Sequence, residues 1–193
     1  MNTFMFLILS TMVIPQEEMR FTHVFKQNFD TSCGISTTAT LLNKYWNISV
    51  FGDEMYQEIL DRLEDGDIDY TINFLTIAEF LLRHSIQSRA FKMDWDQLVN
   101  NLAQGFGPII VHYNRPLPHF ALLLHIEDDY AFVADPARGY EAIDRKTFLQ
   151  RYSGNVLLAA SRVHQKDEVY LQQVISEKRT QINRLQQLAR RRW

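Results

Sequence analysis

The chain has 193 residues, of which 46% are hydrophobic and 12% aromatic, and its formal net charge is −3. This length and apolar content suit one compact domain with an appendage, and the lack of a basic excess argues against nucleic acid as the main partner. The sequence contains a single cysteine, Cys33. It therefore has no internal disulfide and no thiolate-based zinc site of the usual kind, and we expect no cofactor or metal.

The N-terminus carries an apolar run from Thr3 to Ile14. The run is shorter than the roughly 20 residues of an ordinary membrane span, so no stable span is expected, but its length fits the apolar core of a secretory signal. No Lys or Arg precedes it. We expect residues 1–20 to be a signal or lead-in segment of a periplasmic or secreted protein. The alternative is a core segment retained in a cytoplasmic protein.

The first half of the chain then predicts mainly helices. Val24 and Phe25 suggest a short strand. Helices are expected over residues 33–46, 53–63 and 72–84. Residues 64–69 form an acidic stretch that lacks the spacing of a calcium-binding EF-hand, and Gly and Asp favour a solvated turn there.

The second half predicts mainly strands. A strand over residues 86–91 and a helix over 94–103, with Asp94 as its N-cap, come first. Short apolar runs then predict strands over residues 109–113, 120–126, 130–134, 140–143 and 155–161, with a helix over 144–150. Helices followed by antiparallel strands indicate an α+β fold.

The C-terminal segment, residues 164–193, predicts a basic amphipathic helix. From Lys178 onward it contains six Lys or Arg residues and no acidic residue. One interpretation is a solvated helix that packs a single apolar stripe on the domain. The other is a docking helix for a partner, such as a component of a secretion system, or for an anionic membrane surface.

Candidate chemistry begins at Gln27-Asn-Phe-Asp-Thr-Ser-Cys33-Gly34. The predicted helix starts at Cys33, where the helix dipole and free backbone N–H groups favour the reactive thiolate. A Gln side-chain amide six residues earlier is a suitable hydrogen-bond donor to an oxyanion. The alternative is that Cys33 is an inert, buried apolar residue.

A histidine and an aspartate flank a predicted hairpin further along the chain. His119 follows Pro118 at a strand start, and Asp135 ends the next strand before Pro136. Glu127-Asp-Asp129 predicts a tight turn between these strands. His119 lies eight residues before Glu127 and Asp135 six after Asp129, so pairing of the strands can make them neighbours. His119 is therefore the favoured general base among the six histidines.

Taken together, these motifs resemble the C39 family of papain-like cysteine peptidases, which cleave leader peptides, typically after a double glycine. The resemblance covers about residues 22–161 and predicts a peptidase domain over residues 21–163. It implies a papain-like α+β fold in which the nucleophile opens a helix packed on an antiparallel sheet. It also implies that Cys33 is the nucleophile, His119 the base, Asp135 the orienting carboxylate and Gln27 the oxyanion donor.

The chain departs from transporter-linked members of that family. It lacks a phosphate-binding G-x-x-x-x-G-K-[ST] loop and a set of transmembrane helices. We therefore expect a stand-alone cysteine endopeptidase that acts on an exported peptide or protein, with or without a Gly-Gly leader, in a bacterial secretion or fibre-assembly system. A non-catalytic peptide-binding module is one alternative, and a thiol amidase or acyltransferase is the other.

Overall fold

The computed structural model describes residues 16–28, 32–64 and 72–190. The described helices are α1 (Gln16–Arg20), α2 (Cys33–Thr40), α3 (Gly52–Glu64), α4 (Phe74–Arg83), α5 (Trp95–Ala103), α6 (Arg145–Arg151) and α7 (Glu168–Arg190). A π-helical turn, Leu41–Tyr45, continues α2. The apolar run at residues 3–14, nearly all of the acidic stretch at 64–69, and the last residues of the predicted C-terminal helix lie outside the described residues.

Within the described ranges, six strands form one antiparallel sheet in the order β1-β6-β2-β3-β4-β5. The strands are β1 (Gln87–Lys92), β2 (Ile109–Tyr113), β3 (His119–Glu127), β4 (Tyr130–Asp135), β5 (Gly139–Asp144) and β6 (Tyr152–Ala160). The last strand, β6, lies between β1 and β2 and pairs with both of them. The predicted α+β class and the predicted hairpin between β3 and β4 are confirmed.

Both faces of the sheet are covered, which explains why its central strands read as nearly continuous apolar runs. On one face, Ile110, Leu122 and Ala134 join a core completed by α2, α3, α4 and α7. Their sequence neighbours point to the opposite face and join a second core under α5 and α6. Because side chains alternate along a strand, each central strand contributes to both cores.

The strand suggested at Val24 and Phe25 is wrong. These residues pair with no strand of the described sheet. The Phe25 N–H donates instead to Thr40 Oγ1 at 3.0 Å, and the carbonyl of His23 accepts from Tyr45 Oη at 3.3 Å. Side chains of the α2 region thus satisfy the backbone groups that a sheet would otherwise have paired.

The C-terminal helix packs on the domain through its first half. Leu171, Val174 and Ile175 are buried in the first core, whereas Val169, which the sequence pattern placed in the apolar stripe, is 82% exposed. His23 anchors this half of the helix, with one ring nitrogen 2.9 Å from Tyr170 Oη and the other 2.8 Å from Glu177. None of the described helices is both long and apolar enough to cross a membrane.

The start of α2 depends on the absence of a side chain at Gly34. A Cβ atom there would overlap the Ile72 side chain and lie 3.3 Å from the Phe120 ring. We predict that Gly34→Ala destabilises the fold by about 1–3 kcal/mol, because overpacking displaces neighbouring side chains. Urea unfolding measures the effect, and Ser36→Ala in the same helix is the control because it adds no volume. Equal stability of Gly34→Ala and the control would contradict the prediction.

Candidate functional site

Cys33 is the first residue of α2 and is buried, with 7% of its surface exposed. The helix is fixed to the beginning of β3 by a hydrogen bond from Thr37 Oγ1 to the Phe120 carbonyl at 3.0 Å. The close packing allowed by Gly34 brings the same end of the helix against the Phe120 ring. The sulfur of Cys33 therefore lies beside the residue that begins β3, His119.

His119 and Asp135 are joined by a hydrogen bond between Nε2 and Oδ1 of 2.8 Å. A bulge in β3 makes this possible, since Leu123 pairs with Val133 but His125 with Phe132, leaving Leu124 as an extra residue. Continuing the register puts Asp135 opposite Ala121, on the face that His119 shares. Without the extra residue, Asp135 would belong to the other face of the sheet.

Asp135 is fully buried, and each of its carboxylate oxygens is paired. Besides His119, Oδ1 accepts from the backbone N–H groups of Ala137 at 2.8 Å and Arg138 at 3.2 Å. Oδ2 lies 3.3 Å from Arg138 Nη1. Burial on its own would raise the pKa of Asp135, but the hydrogen bond and charge of His119, with these donors, hold it below its ordinary value. The carboxylate is therefore ionised and fixed in orientation.

Cys33 and His119 favour each other's charged forms. Burial would raise the pKa of the Cys33 thiol, but hydrogen bonds from His119 and the Phe120 backbone lower it. Burial would likewise lower the pKa of His119, but its hydrogen bonds to Asp135 and Cys33 raise it to about 9. Since Nε2 is bonded to Asp135, the Nδ1 side of the ring faces the sulfur. The arrangement supports a thiolate–imidazolium pair, which is lost as the pH rises through about 9.

The Tyr113 ring stacks on the imidazole of His119, a contact that the sequence did not reveal. It is the register partner of His119 across β2 and β3, and the two rings are stacked with centroids 6.2 Å apart and planes at 22°. Tyr113 is 1% exposed, so it does not take part in contacts with solvent. The apolar run of β2 gave a signal for its burial, but its position beside His119 depends on the strand register.

Gln27 is held next to the Asp135 loop by its backbone, whose N–H donates to the Pro136 carbonyl at 2.9 Å. Its side-chain Oε1 is buried and has no hydrogen-bond partner within the described part of the chain. The structure therefore places Gln27 beside the loop that also carries Asp135.

The other histidines make different contacts. His112 lies 3.0 Å from Ser153 Oγ and packs on Phe120, and burial, followed by the charge of His119, lowers its pKa. His125 lies in mid-strand and faces Glu127 at 3.9 Å. His23 belongs to the α7 anchor, and His164 is exposed. Among the histidines within residues 16–28, 32–64 and 72–190, only His119 is hydrogen-bonded to both a thiol and a carboxylate.

No cluster of three or more His, Cys, Asp or Glu side chains capable of holding a metal ion occurs among the residues whose structure is described. The three side chains that the structure brings together are a thiol, an imidazole and a carboxylate in series. This series suits nucleophilic attack on an acyl group followed by proton transfer to a leaving group.

Two curated proteins are similar to this chain. A protein named as a probable functional amyloid protease, FapD, from Pseudomonas fluorescens is 26% identical over 157 residues, which is 80% of this chain and 67% of that protein. The protein of the same name from Pseudomonas aeruginosa is 26% identical over 141 residues, which is 72% of this chain. This chain spans 61% of that second protein, less than two thirds of its length.

Solved structures share the fold. A double glycine motif protease from an AMS/PCAT transporter, determined with a leader peptide, has 22% identity and a TM-score of 0.52, covering 70% of this chain and 89% of that one. The peptidase domain of Streptococcus ComA, a bi-functional ABC transporter involved in quorum sensing, has 16% identity and a TM-score of 0.60, covering 72% and 98%. These likenesses establish a papain-like peptidase fold.

The family assignment rests on the sequence match. A profile of the Peptidase C39 family matches residues 22–164, well over half of the chain. That range contains the helix that begins at Cys33 and the hairpin that carries His119 and Asp135. This chain therefore belongs to the Peptidase C39 family.

Proposed function

We propose that this protein is a cysteine endopeptidase in which Cys33, His119 and Asp135 form the catalytic triad. The observation that carries the proposal is the continuous series of contacts from the Cys33 sulfur through the His119 ring to the buried Asp135 carboxylate. A non-catalytic binding module would have no need for a buried ionised carboxylate that raises the pKa of a histidine beside a thiol.

The proposed reaction begins with attack of the Cys33 thiolate on a substrate carbonyl carbon, which forms a carbon–sulfur bond and a tetrahedral oxyanion. The protonated His119 gives its proton to the departing amine as the peptide C–N bond breaks, leaving a thioester. His119 then takes a proton from water, whose oxygen attacks the thioester and releases the acid. Asp135 holds the imidazole in one orientation and stabilises its charged form.

Gln27 and the backbone N–H of Cys33 are the proposed oxyanion donors. The buried side-chain Oε1 of Gln27, a hydrogen-bond acceptor, has no partner within the described structure, and the assignment rests on where the residue lies. Its backbone contact to Pro136 keeps the residue beside the triad. A donor positioned in advance stabilises charge that develops only in the transition state.

The proposed substrate is a peptide or protein that is exported from the cell. Support comes from the relatives named as functional amyloid proteases and from the fold shared with a protease determined with a leader peptide. A Gly-Gly leader is the first sequence to test, together with segments of fibre-forming proteins. We place this activity in a bacterial secretion or fibre-assembly system, with α7 as a candidate contact to other components.

Replacement of the nucleophile gives the first test. We predict that Cys33→Ala lowers the rate of peptide cleavage by at least about 10³ while the thermal melting midpoint stays close to that of the wild type, because the thiol forms the covalent bond. His119→Ala should cause a similar loss, and His125→Ala, in the same strand, should retain activity. Full activity of Cys33→Ala would refute the nucleophile assignment.

Gln27→Ala separates transition-state stabilisation from substrate binding. The prediction is a fall in kcat of about 10²–10³ with little change in KM, because an oxyanion donor acts mainly in the transition state. Steady-state kinetics on one peptide measures both constants, with the exposed neighbour Asn28→Ala as the control. An effect confined to KM would identify Gln27 as a substrate-binding residue instead.

Export of the protein is also proposed, with the mature chain beginning between residues 14 and 21. The support is the apolar run at residues 3–14, which would be a liability on the surface of a soluble domain. N-terminal sequencing of protein recovered from periplasmic, secreted and cytosolic fractions measures the start. Recovery of the intact Met1 terminus from the cytosol alone would contradict export.

A further inference from the structure

From residue 183 to Arg190, α7 has no described side chain buried against the domain. Ile182 is the last residue of the helix that packs against the first core. Every later residue of the helix whose side chain is described is exposed, and Leu188 shows 58% of its surface. Helices in globular proteins obtain most of their stability from tertiary packing of one face. Among the residues whose structure is described, the end of α7 therefore lacks the buried contact that would stabilise it.

This free end carries charge of one sign. Arg184 and Arg190 are exposed, and the sequence continues with Arg191, Arg192 and Trp193. No acidic residue follows Glu177. The two earlier cations of the helix are already engaged, since Lys178 donates to the Tyr140 carbonyl at 2.8 Å and Arg179 donates to the Glu127 carboxylate at 2.8 Å. Of the described cations of α7, Arg184 and Arg190 therefore lie beyond these domain contacts, and Arg191 and Arg192 follow them in the sequence.

Apolar residues accompany these arginines at helical spacing. In the sequence, Leu185 and Leu188 follow Ile182 at intervals of three, so the stripe that packs on the domain continues beyond it. Arginine on the polar side together with Leu and a terminal Trp is the composition of helices that lie in a membrane interface. A partner helix would more commonly be met by charges of both signs, as in coiled coils.

We propose that the end of α7, residues 183–190, binds the surface of an anionic phospholipid bilayer. The arginines would contact lipid phosphates while Leu188 enters the headgroup region. This binding is peripheral, involves no membrane span, and does not depend on the proposed proteolysis. It would hold the peptidase next to a membrane across which a substrate is exported.

Vesicle sedimentation of the full chain tests the proposal. The wild type should bind vesicles of phosphatidylcholine with about 30% phosphatidylglycerol much more tightly than pure phosphatidylcholine vesicles, and the difference should shrink as salt rises above about 0.1 M. Changing Arg184, Arg190, Arg191 and Arg192 together to Gln should weaken binding by at least about 100-fold, because each cation contributes roughly fivefold at an anionic surface. Leu188→Gln should weaken it further.

The control variant removes the same charge elsewhere, by changing the exposed residues Arg89, Lys92, Lys146 and Arg162 to Gln. It should bind anionic vesicles within about threefold of the wild type, because local clustering and not net charge sets surface binding. Equal losses in the two variants, or no preference of the wild type for anionic vesicles, would overturn the proposal. If the protein bound a poly-glutamate column but not anionic vesicles, the partner of the α7 end would be an acidic protein, and the membrane proposal would be overturned.

Discussion

The hydrogen bond between His119 and Asp135 is the interaction on which the site depends. A carboxylate with no exposed surface is costly unless it is paired, and here the imidazole, two backbone N–H groups and the Arg138 side chain supply the partners. The same arrangement fixes the imidazole and turns its free nitrogen towards Cys33. The polar network that stabilises the turn between β4 and β5 thus also activates the thiol.

The parts of the site come from opposite sides of the sheet and meet at one end of it. Cys33 lies on α2, which covers the first core, whereas His119 stacks on Tyr113, which belongs to the second core. The hydrogen bond from Thr37 to the Phe120 carbonyl and the missing side chain at Gly34 fix the helix against the strand. Accurate packing on both faces is therefore needed to keep the thiol and the imidazole in contact.

Much of this arrangement was predictable from local patterns. The helix at Cys33 and the strands around the Glu127–Asp129 turn have clear periodicity and turn residues, and they were placed to within a few positions. The sequence predicts only that His119 and Asp135 can be neighbours. It does not reveal the bulge at Leu124, which places both side chains on the same face of the sheet. The strand suggested at Val24 and Phe25 is wrong because hydrogen bonds with the side chains of Thr40 and Tyr45, which are distant in sequence, replace strand pairing.

The central claim is that His119 keeps Cys33 as a thiolate. Since the chain has a single cysteine, the pH dependence of iodoacetamide alkylation reports on that sulfur without ambiguity. In the wild type, the alkylation rate should remain high well below the ordinary pKa of a thiol, because His119 lowers the pKa of Cys33. In His119→Ala the profile should move to higher pH, since burial then dominates. Identical profiles for the two proteins would contradict the account.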